Sequence, residues 1–479
     1  MLIMRRAAAA PLAAALLLLL AAAQPALAGA PLSSSVLLFY DSEYEPHYGQ
    51  PISQCDQLLQ RAKDGGSNSV NLVPTHYWID DASNKFSAGG CYPDNWAEMQ
   101  SVDYFCSRWE WDKPCEPFTK DTIARFAKGF KDCLQKAHDM FDEVLISPHL
   151  DDGTKTMHWR NTLMFDPLQP DQKGNTYWDI MLSPIAEAVK AVYTKPGKTI
   201  VFGPQGEMGG TVFYAPASYQ KIADRVRAEY KGPAKLKIAL MFNHAYVPGV
   251  INRAPDDNAV RAPPASALEA YQGWGPVLPF DKWPEYARLK ASQPALLGLL
   301  DSVDVLGVSC YPRSGATPKP EDFEVCVSKL DAELAVAGFN LKAWAARPGK
   351  ALVLSELGLG GGVNRCGTTP AASAKDAGLY THLDVGYPWS KERDPWSKPE
   401  LRQYRRDWHN AAMALLDRGG INYPLSGAYL WSLMSMDPQG IHPATTSGGG
   451  TFADPAIADA IKKHNAAARG RRRRSRSLL

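Results

Sequence analysis

The 479-residue sequence has no excess of charge of either sign, with 52 Lys plus Arg against 50 Asp plus Glu. Two of the positive charges fall in residues 1–28 and six in residues 469–479, neither of which holds an acid. The formal +2 of the chain therefore leaves −6 for the body between them. A mildly acidic body excludes a surface built to follow nucleic-acid backbones. With 45% hydrophobic and 21% charged residues, the composition also excludes a collagen, a disordered polymer and a multi-span membrane protein. There is no internal repeat of about 20–50 residues, which excludes solenoids and propellers. The dinucleotide fingerprint G-x-G-x-x-G, the phosphate loop G-x-x-x-x-G-K-[ST] and the nucleophile elbow G-x-S-x-G are all missing. No C-x-x-C pair occurs, so zinc-ribbon and thioredoxin readings fail. No N-x-[ST] sequon occurs, so N-glycosylation is not expected.

The two charged ends have different meanings. Residues 1–28 begin with Arg5 and Arg6, continue in Ala and Leu, and finish Ala26-Leu27-Ala28, the small-x-small pattern of a signal-peptide cleavage site. The run Ala7 to Ala23 is shorter than the ~20 residues a spanning helix needs. The expectation is a secreted or cell-wall protein, a monomer with no membrane partner after cleavage. Residues 469–479, with Arg471 to Arg474 at their centre, form a like-charge run predicted to be a disordered basic tail. Residues 29–468 are left as one domain. Its eight cysteines suit an oxidising compartment. Cys91, Cys106 and Cys115 share an irregular stretch that disulfides would hold, whereas Cys310 closes an apolar strand and is expected to be a buried free thiol. The connectivity stays open.

Eight apolar β-type runs alternate with amphipathic helical patterns. The strands are Val36–Tyr40, Val70–Pro74, Glu143–Ser147, Thr199–Gly203, Lys237–Phe242, Val303–Ser309, Ala351–Ser355 and Gly427–Trp431. Helices are predicted over Ile52–Lys63, Lys120–Met140, Ile180–Tyr193, Pro216–Tyr230, Gln293–Ser302, Glu321–Ala337 and Lys398–Arg418. Continuous apolar strands separated by helices imply a parallel sheet covered on both faces. Eight such units, with no Gly-rich phosphate turn after the first strand, predict an α/β (β/α)8 barrel with long loops. Chemistry in such a barrel sits at the C-terminal ends of the strands. Here those ends carry His76-Tyr77-Trp78, His149, Glu207, Asn243-His244, Tyr311, Glu356 and Trp431.

Glu207 and Glu356 stand out, each just past an apolar strand, the fourth and the seventh. A carboxylate closing a buried strand is costly without partners or a task. Two opposed carboxylates at a barrel mouth suit glycosidic-bond cleavage, one giving a proton to the leaving oxygen and the other attacking or activating water.

The residues around them sharpen this. Ser69–His76 (SVNLVPTH) on strand two, Val144–Asp152 (VLISPHLDD) on strand three with Trp159-Arg160 after it, Glu207, Tyr311 in GVSCY and Ser355–Gly358 (SELG) together resemble clan A glycoside hydrolases. Within the clan they are most similar to glycoside hydrolase family 113, whose best-known activity is β-1,4-mannanase. The resemblance runs from about Ser33 to about Met436. It implies a retaining enzyme with Glu207 as acid/base, Glu356 as nucleophile, Tyr311 orienting the nucleophile and Trp431 under the sugar. His149, Asp151 and Asp152 could start a metal site but their spacing supplies too few ligands, so no metal and no cofactor are expected, and the partner is a polysaccharide or oligosaccharide. The clan's Asn before the acid/base is Gly206 here, and Asn243 or His244 is the candidate to replace its contact. Further substrate-binding candidates are His76, Trp78, His149, Trp159 and Arg160. Of the loop tryptophans Trp96, Trp109, Trp111, Trp389 and Trp396, one or two are expected to touch substrate. An inactive carbohydrate-binding barrel and a transglycosylase using the same glutamates stay open as alternatives.

Overall fold

The computed structural model describes residues 29–47, 49–80, 99–154, 158–254, 275–363, 369–382, 393–434 and 453–477. The candidate signal peptide, Cys91, Cys366, Trp96 and Trp389 lie outside them. Eight strands form the central sheet: β1 (Leu32–Leu38), β2 (Ser69–Ile79), β3 (Glu143–Ile146), β4 (Thr199–Phe202), β5 (Lys235–Asn243), β6 (Val305–Cys310), β7 (Ala351–Leu357) and β8 (Leu425–Leu433). Each pairs in parallel with the next, and β1 pairs with both β2 and β8, so the sheet closes on itself. The helices that follow the strands are α1 (Gln54–Asp64), α2 (Lys120–Met140), α3 (Ser183–Val192), α4 (Pro216–Glu229), α5 (Tyr286–Ser302), α6 (Pro320–Val336), α7 (Pro399–Arg418) and α8 (Pro455–Ser477). This is the (β/α)8 barrel that the alternation predicts.

The core has two layers. Leu145, Val201, Ala239, Met241, Val305, Val353 and Tyr429 fill the barrel, while a larger set packs the outer face of the strands against the helices. The interior is tight. A Cβ on Gly307 would lie 2.1 Å from Met241 Sδ, so the methionine uses the space that the glycine leaves. Near the mouth the filling turns polar: Asn71 donates to Ser35 Oγ at 3.2 Å and accepts from Ser147 Oγ at 2.9 Å.

One expectation is corrected here. Cys310 is not a free thiol but is bonded to Cys326 of α6. Its strand places Val305 inside the barrel, so the alternate positions Leu306, Val308 and Cys310 face the helices. The backbone of α8, the eighth barrel helix, continues through the arginine run as far as Ser477. Ile457 and Ile461 of α8 are buried, and Asn465 accepts from Leu32 N at 2.9 Å and donates to Leu32 O at 2.8 Å.

Candidate active site

The two glutamates reach the mouth by different local devices. After β4 the chain stays in the sheet: Gly206 N donates to Pro148 O at 2.8 Å and Glu207 N to Met241 O at 3.1 Å. Glu207 itself has a φ of 57°. That left-handed conformation is unfavourable for a residue with a side chain and persists only where neighbours impose it. In β7, Val353 faces the barrel interior and Leu354 the helices. Strict alternation would turn Glu356 outward. The register against β6 shifts between Leu354 and Glu356, and this bulge brings the carboxylate back to the inside, as bulges beside active sites do.

Each carboxylate is buried, Glu207 at 5% exposure and Glu356 at 3%, and each has its own polar cradle. Asn243 Nδ2 donates to Glu207 Oε1 at 2.6 Å and Arg160 Nη1 to Glu207 Oε2 at 2.9 Å. Arg160 also grips Asp151 Oδ1, through Nε at 3.2 Å and Nη2 at 2.5 Å. Its neighbour Asn161 fixes the loop that carries it, donating to Tyr246 O at 2.7 Å and accepting from Gly209 N at 2.9 Å. A Cβ on Gly209 would lie 1.8 Å from Val247 O, so the loops after β3, β4 and β5 can pack only around a bare backbone. On the other side, Tyr311 donates its hydroxyl to Glu356 Oε2 at 2.9 Å. His149 Nε2 is 3.2 Å from Glu356 Oε1, and its ring stacks on Trp431 with centroids 5.4 Å apart.

Burial pushes the Glu356 carboxyl up to about 7, against the pull of Arg160 and Tyr311. Burial also raises Glu207, reinforced by the charge of Glu356 and opposed by Arg160 and Asn243. Arg160 is close to Glu207, but Asp151 balances much of its charge. Burial works against the guanidinium, yet Asp151 and Glu207 hold its proton more firmly than usual. Burial and the charge of Glu356 together hold the Glu207 proton more firmly than an ordinary carboxyl does. Burial, then Arg160, lowers His149 to about 3, so it stays a neutral imidazole. The site therefore offers one proton donor, one carboxylate and fixed neutral hydrogen-bonding groups.

The structure brings together Glu207, Glu356, Tyr311, His149, Arg160, Asn243 and Trp431, with the half-buried Trp159 adjoining Arg160. It does not bring in His76 or Trp78. Both lie on the outer face of β2: His76 packs edge-on to Phe118 and Phe126, and Trp78 is fully buried in the outer core. Between them Tyr77 faces the mouth, stacked on Tyr40 at 6.4 Å and donating to Phe39 O at 2.9 Å. His244 turns from the glutamates to Ser309 O, 3.0 Å from its Nδ1. Trp396 is buried in the outer core. Tyr77 and Asp151 belong to the site and were missed. Asp151 lies two residues beyond His149 on the short strand His149–Asp152 that pairs with β2, and period-two alternation from His149 is the signal that finds it.

No family model matches the chain, and no curated protein matches it. Among solved structures it is similar to the family 113 β-mannanase of Alicyclobacillus acidocaldarius in complex with ManMIm, at 12% identity, with 92% of this chain and 99% of that chain covered and a TM-score of 0.46. It is also similar to a fungal β-1,4-galactanase, at 12% identity, 90% and 99% coverage and a TM-score of 0.40. A third is the glycoside hydrolase family 5 mannosidase of Rhizomucor miehei, at 11% identity, 92% and 94% coverage and a TM-score of 0.37.

Proposed function

We propose that the protein is a retaining β-glycoside hydrolase acting on a β-linked polysaccharide, with β-mannan the first candidate on the resemblance of its strand motifs. The observation that carries the reading is the pair of buried glutamates at the ends of β4 and β7, both raised by burial and each held by its own partners, with the charge of Glu356 adding to the rise at Glu207. A binding role has no use for two desolvated carboxyls, since an uncompensated buried charge is costly.

In the proposed mechanism the Glu356 carboxylate attacks the anomeric carbon as the bond to the departing sugar breaks, and Glu207 gives its proton to the leaving oxygen. The Tyr311 hydroxyl and His149 hold Glu356 in line. Once the ester has formed, the charge that raised Glu207 is gone and Glu207 becomes a base. It takes a proton from water, which attacks the same carbon and restores Glu356. Trp431 offers an apolar face to the sugar ring. The disulfides and the composition of residues 1–28 support action outside the cell, and the proposal takes the protein to act there as one domain and as a monomer.

A reducing-sugar assay over β-mannan, β-galactan, β-glucan and β-xylan tests the activity. The expected result is release from one polymer, reduced at least about a thousandfold in Glu356→Gln. Aryl glycosides separate the two roles. Glu207→Ala should spare the first step on a dinitrophenyl glycoside, whose leaving group needs no proton, and lose it on a poor leaving group. Glu356→Ala should lose both. Undiminished turnover by Glu356→Gln would overturn the assignment.

A further inference from the structure

At the end of the barrel that carries the glutamates, just past β1, is a cavity of about 530 Å3. One wall is the segment after β1 and the first turn of α1, with Tyr40, Ile52, Gln54 and Gln57. The other is the tip of a hairpin that carries Glu110 and Trp111. Trp111 is 66% exposed and Ile52 46%. Among the described residues six large apolar side chains are exposed, these two the most, and both flank one cavity. Exposed apolar surface gathered in a concave place marks a binding site more often than chance.

The wall is built to hold its shape. The hairpin strands Tyr104–Ser107 and Glu116–Pro117 pair with one another, and the Cys106–Cys115 disulfide closes the loop between them. Trp109, two residues before Trp111, has the Arg125 guanidinium 4.6 Å from its ring centroid, and Arg125 in turn pairs with Asp41 at 3.3 Å. Trp111 is thus presented by a stapled loop.

The polar lining narrows the ligand. It consists of glutamine amides, with Ser42, Glu43, Glu45, Glu110 and His47, and among the described residues no lysine or arginine lines the cavity. Such a lining repels polyanions and offers hydrogen bonds to uncharged hydroxyls. One wall residue links the cavity to the candidate site. Tyr40, on its wall, stacks on Tyr77 and feels the charge of Asp151, and Asp151 holds the arginine that holds Glu207.

We infer that this cavity is a distal subsite for a neutral, β-linked oligosaccharide, with the Trp111 indole as the platform for a pyranose ring and the glutamine amides meeting its hydroxyls. The inference rests on the glycosidase reading above. A chain bound at the glutamates would run past Tyr40 onto Trp111, so longer chains bind more tightly than short ones.

The test uses full-length Glu356→Gln protein, which binds without turnover, titrated calorimetrically with manno-, galacto-, gluco- and xylo-oligosaccharides, each as disaccharide and hexasaccharide. The hexasaccharide of one series should bind more tightly than its disaccharide. Adding Trp111→Ala should remove roughly tenfold of that gain, and Trp111→Tyr, which keeps an aromatic face, should restore most of it. A length-dependent gain indifferent to Trp111→Ala overturns this inference alone. No binding of any series, short or long, overturns the glycosidase reading with it.

Discussion

A Cβ on Gly206 would lie 2.6 Å from His149 Cδ2 and 2.7 Å from its Nε2, so the backbone beside Glu207 is bare because an imidazole fills the space. That ring is held between the backbone and the Trp431 indole and reaches to Glu356. The asparagine that the resemblance leads one to expect at this position would have to push the ring away. Gly206→Asn should therefore cost about 1–3 kcal/mol of stability, as overpacking does, and lower turnover through Glu356. Combining it with His149→Ala should recover most of the stability. Chemical denaturation and turnover of the single and double variants measure both, and a Gly206→Asn protein as stable as its parent would show that the ring has room to move. The glutamates and Tyr311, which the structure brings together, stood out in the sequence because a polar group just past an apolar run is conspicuous, and Arg160 was reached only through the resemblance. Which residues hold Glu207 was not. The pairing of Asn243 with Glu207, rather than His244, depends on which side of β5 each occupies, and that is a matter of backbone direction.

At the scale of strands and helices, the eight units were legible for the physical reason that also limited the site. A parallel strand buried on both faces is apolar throughout, so it is easy to find. The same burial removes the in–out alternation that would tell which face each residue takes. His76 and Trp78 were assigned to the mouth although Tyr77 is the one that reaches it, and Cys310 was read as a lone thiol although it faces α6. The Glu356 bulge is likewise silent in sequence. Three disulfides lie among the described residues. Cys55–Cys133 ties α1 to α2 across 78 residues, Cys310–Cys326 spans 16, and Cys106–Cys115 spans 9. A cross-link restricts the unfolded chain more when it closes a longer loop. Replacing both cysteines by alanine should cost about 4–5 kcal/mol for Cys55–Cys133 and about 3 kcal/mol or less for the other two. Guanidinium titrations of the three variants give the order, and equal losses would point to packing as the main term.

The whole molecule carries its pH response in buried groups that the mechanism mostly does not use. His76, His149, His244, His382 and His409 are each lowered to about 3, first by burial. They take up protons only on unfolding, so they remove stability as pH falls below their ordinary value of about 6.5. Asp41, raised by burial to about 6, and Glu43 and Glu356, raised to about 7, act in the opposite sense. They are protonated when folded and ionised when unfolded, so they favour the fold as pH falls through those values. Below about 4 they are protonated in both states and no longer offset the histidines. Stability should thus decline gently from pH 6.5 to about 4.5 and steeply below, which melting curves across that range would follow. Glu356→Gln should be more stable than the parent, with the gap widening from pH 4.5 to about 7 and then level. A gap independent of pH would mean that Glu356 is not perturbed. A different consequence comes from α8. β1 pairs with β8, Asn465 binds Leu32 in both directions, and Gly29 lies against Arg471. First strand and last helix thus form a seam in a ring, and the ring itself has no preferred starting point. Joined across that seam by a short linker and reopened at the exposed turn Pro196-Gly197, far along the chain from either glutamate's loop partners, the same polypeptide would keep every strand beside its present neighbours while reading its barrel from a new first strand.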